Sequence, residues 1–206
     1  MNDILLWMIF IFGGFLLGSV MFCSLLPQII AHVNISEISD DGNPGAFNVF
    51  KHCGATLGIP CVLLDILKGF IPVFVAVFFV NKNSALFTLV IVAPVLGHAI
   101  GISNRFRGGK CIATSFGVTA GLIPTSFIVL LLAVLYILFS TVIKIKPNIW
   151  RSIVTFSMFG IGALIVLIAE NYISLAIGCF LVAVIASVKH IIPLVQEKRQ
   201  KADIVL

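Results

Sequence analysis

Residues 111–143, CIATSFGVTAGLIPTSFIVLLLAVLYILFSTVI, decide how many times this chain is predicted to cross a membrane. A helix needs about 20 apolar residues to cross the hydrocarbon core, so this stretch is too long for one crossing. The break Gly121-Leu122-Ile123-Pro124 divides it, because glycine and proline weaken a helix interior. We predict a short helix over 112–122, either a crossing or a re-entrant segment, and a longer one over 124–143.

The composition indicates an integral membrane protein. Of the 206 residues, 60% are hydrophobic and 10% charged, with a mean hydropathy of +1.20, whereas soluble domains are nearer half apolar and a quarter charged. We predict an all-α protein, a compact bundle of about seven transmembrane helices forming one domain over residues 1–206. The predicted spans are 4–26, 57–80, 84–103, 112–122, 124–143, 151–169 and 172–193.

Basic residues support seven crossings. Of the 13 Lys and Arg residues, 11 then lie on one side, only Lys82 lies on the other, and Lys68 lies within a span. The 11 are Lys51, Arg105, Arg107, Lys110, Lys144, Lys146, Arg151, Lys189, Lys198, Arg199 and Lys201. Cytoplasmic loops carry an excess of basic residues, so we predict an outside N-terminus and a cytoplasmic C-terminus. This distribution accounts for most of the net charge of +5, and nothing indicates nucleic-acid binding.

The five cysteines show no CxxC spacing and no His/Cys cluster. We interpret them as free thiols and buried small side chains, rather than as disulfides or zinc ligands. No metal and no cofactor is predicted.

Two polar, glycine-containing loops stand out among the apolar spans. The first, Gly42-Asn43-Pro44-Gly45-Ala46-Phe47-Asn48-Val49-Phe50-Lys51, has the composition of a turn. Asn48 and Lys51 also lie three residues apart, a spacing that places a carboxamide and a cation on one helix face and suits a phosphate or a polyol. In the second, Gly108-Gly109-Lys110 precedes an apolar helix that carries Thr114. A helix start with a nearby lysine can hold a phosphate; the alternative is a basic cytoplasmic loop.

Several other polar residues have two readings. Asp65 and Lys68 lie three residues apart inside a span. They form either an internal ion pair or part of a functional site, since charged residues inside the membrane usually mark function. Lys189-His190 can be an interfacial anchor, and Ser152 a helix N-cap. His98, after Gly97, can be a hydrogen-bonded histidine of the bundle.

Together these motifs resemble the PlsY family, bacterial membrane acyl-phosphate:glycerol-3-phosphate acyltransferases. The family's loops are similar to SGNPGATNVxR and GGKGVATxFG, and a Gly-His pair precedes the second. The matching residues are Gly42, Asn43, Pro44, Gly45, Ala46, Asn48, Val49, Gly97, His98, Gly108, Gly109, Lys110, Ala113, Thr114, Phe116 and Gly117. Three motifs in the same order in a small polytopic chain are a specific signal.

The chain also departs from the family's pattern. Asp41, Phe47 and Lys51 stand where the family carries serine, threonine and arginine, and Cys111 replaces a glycine. In the third motif His190 matches, whereas Pro193 and Gln196 replace asparagine and arginine. We expect Asp41 to repel an anionic acceptor, and Lys51 to lack the bidentate fork of an arginine.

The resemblance implies seven helices with a site facing the cytoplasm of a bacterial plasma membrane. It implies acyl transfer from acyl phosphate to the sn-1 hydroxyl of glycerol 3-phosphate, giving lysophosphatidic acid for phospholipid biosynthesis. The implied partners are both substrates, the lipid bilayer and the enzyme that makes acyl phosphate. The implied catalytic residues are Lys110, His190 and Ser152. The implied substrate-binding residues are Gly42, Asn43, Gly45, Asn48, Lys51, Lys68, His98, Gly108, Gly109 and Thr114.

Two alternatives belong to other functional classes. The chain is a non-catalytic paralogue that binds lipid phosphate, which the departures at Asp41, Pro193 and Gln196 favour. Or it is a small transporter, which the intramembrane Asp65 and Lys68 suit. Neither would form an acylated product.

Overall fold

The chain folds into helices joined by short loops. The computed structural model describes residues 3–39 and 41–205, without the side chains of Leu194 and residues 196–205. The helices are α1 Asp3–Ser19, α2 Phe22–Ile30, α3 Ile35–Ile38, α4 Ala46–Phe79, α5 Ala85–Ile100, α6 Ile112–Gly121, α7 Ile128–Ile137, α8 Asn148–Ala169 and α9 Ile173–Val205. The described residues contain no β-strand, so the predicted all-α class is confirmed.

Within the part of the chain that the structure describes, four helices are long and apolar enough to cross a membrane: α4, α8, α9 over Ile173–Pro193, and α5 with its following turn, over Ala85–Asn104. The bent pair α1 and α2 makes a fifth candidate. The remaining two predicted spans are the shorter apolar helices Ile112–Gly121 and Ile128–Val142, the second ending in a π-helical turn. The predicted segments are thus present, but two of them fall short of the length of a full crossing.

The first predicted span, 4–26, is not one helix. The chain breaks at Val20-Met21, and the axes of α1 and α2 differ by 45°. Three polar contacts satisfy the backbone at the break: Lys68 Nζ donates to the Val20 carbonyl, the Met21 amide donates to Ser103 Oγ at 2.9 Å, and Ser103 donates to the Ser19 carbonyl at 2.8 Å. A broken helix inside lipid needs such substitutes for its lost hydrogen bonds.

α4 begins at Ala46, earlier than the predicted span at 57, and bends at Gly54. Gly54 has a φ of 72°, a left-handed conformation that glycine adopts without steric cost. The segment before the bend is too polar for a hydropathy window, since it carries Asn48, Lys51 and His52. It is nevertheless helical and lies next to the site described below.

Glycines allow the helices to approach closely. A Cβ on Gly117 of α6 would lie 2.0 Å from the Ile66 carbonyl oxygen of α4, and one on Gly18 of α1 would lie 2.1 Å from the Pro94 carbonyl oxygen of α5. Small residues at helix interfaces are typical of membrane bundles. The outward surface is apolar, with residues such as Phe12, Phe78 and Ile165 more than half exposed, as a lipid-facing surface requires.

Candidate active site

One cavity of about 580 Å³ lies at the end of the bundle that carries both polar loops. Several helices contribute to its wall through charged, polar and apolar side chains. The main lining residues are Asp41, Asn43, Gly45, Phe47, Asn48, Val62, Asp65, Ile66, His98, Lys110, Ile112, Phe116, Tyr136, Asn148, Ile149, Arg151, Ser152 and His190. A charged end joined to an apolar wall suits an amphiphile with a charged head and a hydrocarbon tail.

Three helices begin at this cavity. The starts of α4 at Ala46, α6 at Ile112 and α8 at Asn148 all contribute lining residues. The first amides of a helix have no carbonyl partner within it, and its N-terminal end carries partial positive charge. Three such ends on one cavity favour anionic groups.

Asp41 and Lys110 form an ion pair at the cavity wall. Lys110 Nζ lies 2.6 Å from Asp41 Oδ2, and Asp41 Oδ1 accepts hydrogen bonds from Asn48 Nδ2 at 2.9 Å and from the Asn43 amide at 3.2 Å. Partial burial acts to raise the pKa of the Asp41 carboxyl, but the hydrogen bonds from Lys110 and Asn48 outweigh it, so the pKa lies below the ordinary 3.8. Asp41 is therefore ionised at neutral pH, and the pair is lost only as the pH falls through that lowered pKa.

His190 and Ser152 reach the cavity from α9 and α8, and both are nearly fully buried. His190 Nδ1 lies 2.7 Å from the Ala186 carbonyl oxygen. Because a carbonyl only accepts, this contact places the proton on Nδ1 and leaves Nε2 of the neutral ring as an acceptor. Ser152 Oγ donates to the Asn148 carbonyl at 3.1 Å, and its own lone pairs remain able to accept.

His98 lines the cavity from the last turn of α5 and contacts the glycine pair. The Gly109 amide donates to the His98 carbonyl at 3.1 Å. A Cβ on Gly109 would lie 2.3 Å from His98 Nε2, and one on Gly108 would lie 2.1 Å from the Ala99 carbonyl oxygen. The glycine pair therefore packs against the end of α5 and sets the position of the following Lys110.

The structure brings together seven of the predicted site residues and places the other six outside the lining. The lining ones are Asn43, Gly45, Asn48, His98, Lys110, Ser152 and His190; the others are Gly42, Lys51, Lys68, Gly108, Gly109 and Thr114. Lys51 is exposed, whereas Thr114 is buried between α6 and α4. Lys68 is 1% exposed and pairs with Asp65 at 2.7 Å, so the internal ion pair is present. Gly42 has a φ of 61°, a turn conformation.

Sequence reasoning missed the cavity residues Arg151, Tyr136 and Asn148. Arg151 entered only as one of the basic charges that set the topology. A signal was available, because a cation in the first turn of an apolar helix opposes the helix dipole. Gln196, one of the departures from the third motif, has a side chain that lies outside the described ones.

Within the described residues, no group of three or more His, Cys, Asp and Glu side chains is arranged to hold a metal ion.

The family model described as glycerol-3-phosphate acyltransferase matches residues 8–196. The chain belongs to this family. Among curated members, "Glycerol-3-phosphate acyltransferase 2" of Thermotoga maritima is 37% identical over 112 residues, covering 54% of this chain and 56% of that protein. The glycerol-3-phosphate acyltransferase of Campylobacter lari is 33% identical over 193 residues, covering 86% of this chain and 88% of that protein. The chain thus matches about half the length of the first relative and most of the second.

A solved structure of this family has the same fold. The crystal structure of PlsY, an integral membrane glycerol 3-phosphate acyltransferase, in its glycerol 3-phosphate form has a TM-score of 0.77 and 25% identity, covering 94% of this chain and 92% of that chain. The family resemblance drawn from the three motifs is confirmed.

Proposed function

We propose that this protein transfers an acyl chain from acyl phosphate to the sn-1 hydroxyl of glycerol 3-phosphate, giving lysophosphatidic acid. The observation that carries the proposal is the meeting of Lys110, Ser152 and His190 on one cavity with three helix N-termini, in a member of the glycerol-3-phosphate acyltransferase family. The non-catalytic and transporter alternatives gain no support from the curated relatives, which are named as acyltransferases.

An acyl phosphate is already activated, so the protein has no need of a nucleophilic side chain. The sn-1 oxygen attacks the acyl carbonyl carbon, a carbon–oxygen bond forms, and the bond from that carbon to the phosphate oxygen breaks. The hydroxyl proton leaves with the phosphate, so the products are the ester and hydrogen phosphate. Positioning and electrostatic stabilisation then supply most of the rate enhancement.

The geometry suggests a role for each lining group. Lys110, two residues before α6, binds the donor phosphate and stabilises the negative charge that grows on the phosphate as it leaves. His190 Nε2 and Ser152 Oγ orient the acceptor hydroxyl through hydrogen bonds. Asn43, Gly45 and Asn48 shape the loop beside Lys110, and His98 with Gly108 and Gly109 holds Lys110 in place. Gly42, Lys51, Lys68 and Thr114 support the site from outside the lining.

The apolar part of the wall suits the acyl chain. Val62, Ile66 and Phe116 line the cavity beside the polar groups, and Phe116 packs edge-on against Tyr136 with ring centroids 5.8 Å apart.

We propose that the site faces the cytoplasm of a bacterial plasma membrane, because the basic loops lie at this end. The enzyme that makes acyl phosphate would then be the natural partner.

An assay of the purified protein with acyl phosphate and glycerol 3-phosphate tests the proposal, with acyl-CoA as the control donor. We expect lysophosphatidic acid from acyl phosphate, and a loss on the order of 2–4 kcal/mol of transition-state stabilisation in Lys110→Ala. Arg107→Gln is the matched control, because it removes an exposed positive charge of the same loop that does not line the cavity. Absence of acylated product, or near-parent turnover in Lys110→Ala, contradicts the proposal.

A further inference from the structure

Arg151 is one of the residues that line the cavity. It is in the first turns of α8, directly before Ser152. Its Cζ atom lies 5.5 Å from the centre of the Tyr136 ring, within the range of a cation–π contact. Its Nε atom is buried and has no hydrogen-bond partner among the described residues. A buried donor without a partner costs free energy, and a ligand that accepts from it removes that cost.

The other lysines near the site are engaged or face elsewhere. Lys110 is paired with the Asp41 carboxylate, and Lys68 is paired with Asp65 behind the wall. Lys51, which the sequence motif suggested for the acceptor, is exposed and outside the lining. Among the described lysine and arginine side chains, Lys110 and Arg151 are the two that line the cavity.

The start of α8 adds to the positive character at Arg151. The amides of Trp150 and Arg151 donate to the Pro147 carbonyl, whereas those of Asn148 and Ile149 have no acceptor within the helix because they are its first residues. Both of these residues also line the cavity. This end of the cavity therefore offers a planar cation and a helix N-terminus, on a different element from the one that carries Lys110.

An acyl transfer between two phosphorylated substrates needs two anion subsites, one for each phosphate. We propose that Arg151, with the start of α8, binds the phosphate of the acceptor, while Lys110 binds that of the donor; this inference rests on the proposed function. His190 lines the same cavity as Lys110 and Arg151, so it lies within reach of both subsites. The acceptor hydroxyl would then meet the donor carbonyl beside His190 and Ser152.

The experiment compares Arg151→Gln, Arg151→Lys and the control Arg107→Gln in the full-length protein. We expect Arg151→Gln to raise the KM for glycerol 3-phosphate roughly ten- to a hundredfold, the worth of one charge-assisted hydrogen bond, with the KM for acyl phosphate unchanged. Arg151→Lys keeps the charge but loses the fork, so a smaller rise is expected. Arg107→Gln should match the parent in both constants.

A binding measurement separates this inference from the proposed function, because it needs no turnover. Glycerol 3-phosphate should raise the Tm of the parent and of Arg107→Gln, but not that of Arg151→Gln; if Arg151→Gln does not fold, Arg151→Lys should show a reduced shift. A parent that binds glycerol 3-phosphate but forms no product contradicts the proposed function alone. An unchanged KM and Tm shift in both Arg151 variants, or a rise in the KM for acyl phosphate instead, overturns the assignment of Arg151.

Discussion

The Asp41 carboxylate occupies donors that an incoming phosphate also needs. It accepts from Lys110, from the Asn48 side chain and from the Asn43 amide. The sequence alone suggested that Asp41 would meet the acceptor, because the family carries serine at that position. The structure instead places Asp41 on Lys110, the group proposed for the donor phosphate, so its effect should appear with the donor.

Removing the Asp41 charge should therefore improve donor binding. We expect Asp41→Asn and Asp41→Ser to lower the KM for acyl phosphate by up to about fivefold at low ionic strength, the worth of roughly 1 kcal/mol for a half-exposed ion pair. The effect should shrink as salt is added. Glu37→Gln is the control, because it removes an acidic charge near the same loop that does not contact Lys110. A fall in the KM for glycerol 3-phosphate alone would place Asp41 at the acceptor instead.

Single residues could be predicted where a motif fixes the local geometry. Lys110 and Ser152 lie near the starts of α6 and α8, His190 lies within α9, and the structure places all three on the cavity. Lys51 could not be placed in this way. A spacing of three residues leaves about 60° of rotation between side chains in a helix of 3.6 residues per turn, and here Asn48 is buried while Lys51 is exposed. Arg151 was missed because its position on the cavity depends on contacts between distant helices.

Among the elements, α4 and α6 make a contact that depends on glycine. Gly117 lies against the Ile66 carbonyl, and Gly69 lies against the Thr114 carbonyl. Since Lys110 lies just before α6 and Asn48 lies in α4, this contact fixes the distance between the two polar loops. Separating the helices should therefore disturb both stability and the site.

Gly117→Ala should lower the free energy of unfolding by about 1–3 kcal/mol, because its Cβ would overlap the Ile66 carbonyl and force the helices apart. The Tm in detergent and the KM for acyl phosphate measure the two consequences. Gly13→Ala in α1 is the matched control, since nothing lies within 4 Å of a Cβ there. Equal Tm values for the two variants would show that the α4–α6 contact tolerates a methyl group.

Helix boundaries were predictable where hydropathy changes sharply, and not where distant polar groups set them. The break near Pro124 was visible in the sequence, and α6 ends at Gly121. Gly18-Ser19 precedes the break at Val20-Met21, but the sequence stays apolar across it, and the hydrogen bonds that stabilise it come from the distant residues Lys68 and Ser103. Likewise the start of α4 at Ala46 combines polar residues with helical backbone, which a hydropathy window cannot detect.

At the scale of the whole molecule, the two ends of the bundle differ in charge. Lys82 Nζ lies 5.5 Å from the centre of the Tyr172 ring, and the Lys82 carbonyl accepts a hydrogen bond from Ser174, so the loop after α4 and the loop after α8 lie together at one end. The loop with Lys110 and the first turn of α8, which carries Arg151, lie at the site end. α6 and α7 either cross the membrane once each or form a re-entrant hairpin. In both arrangements α8 begins on the same side of the membrane, so the asymmetry of basic residues is the same.

Labelling of single cysteines tests this orientation. We expect Lys82→Cys to react with a membrane-impermeant thiol reagent applied from outside, and Lys146→Cys to react only after the membrane is opened, because basic loops are retained inside. The background should lack Cys53, which is the native cysteine that is not buried. Reaction of Lys146→Cys from outside would reverse the orientation or remove one crossing.

The Asp65–Lys68 pair has a consequence for how the chain enters the bilayer. Both charges belong to α4 and lie one turn apart, so they can neutralise each other before any other helix is in place. The bilayer then receives a neutral ion pair rather than two isolated charges. The free-energy cost of inserting one isolated charge at a helix centre is about 2.5–3.5 kcal/mol. We expect Lys68→Met to be inserted poorly and degraded, because Asp65 is left alone. The double variant Asp65→Leu/Lys68→Met should regain the membrane yield of the parent. It should nevertheless be less stable once folded, because the Val20 carbonyl at the α1–α2 break loses its hydrogen bond from Lys68.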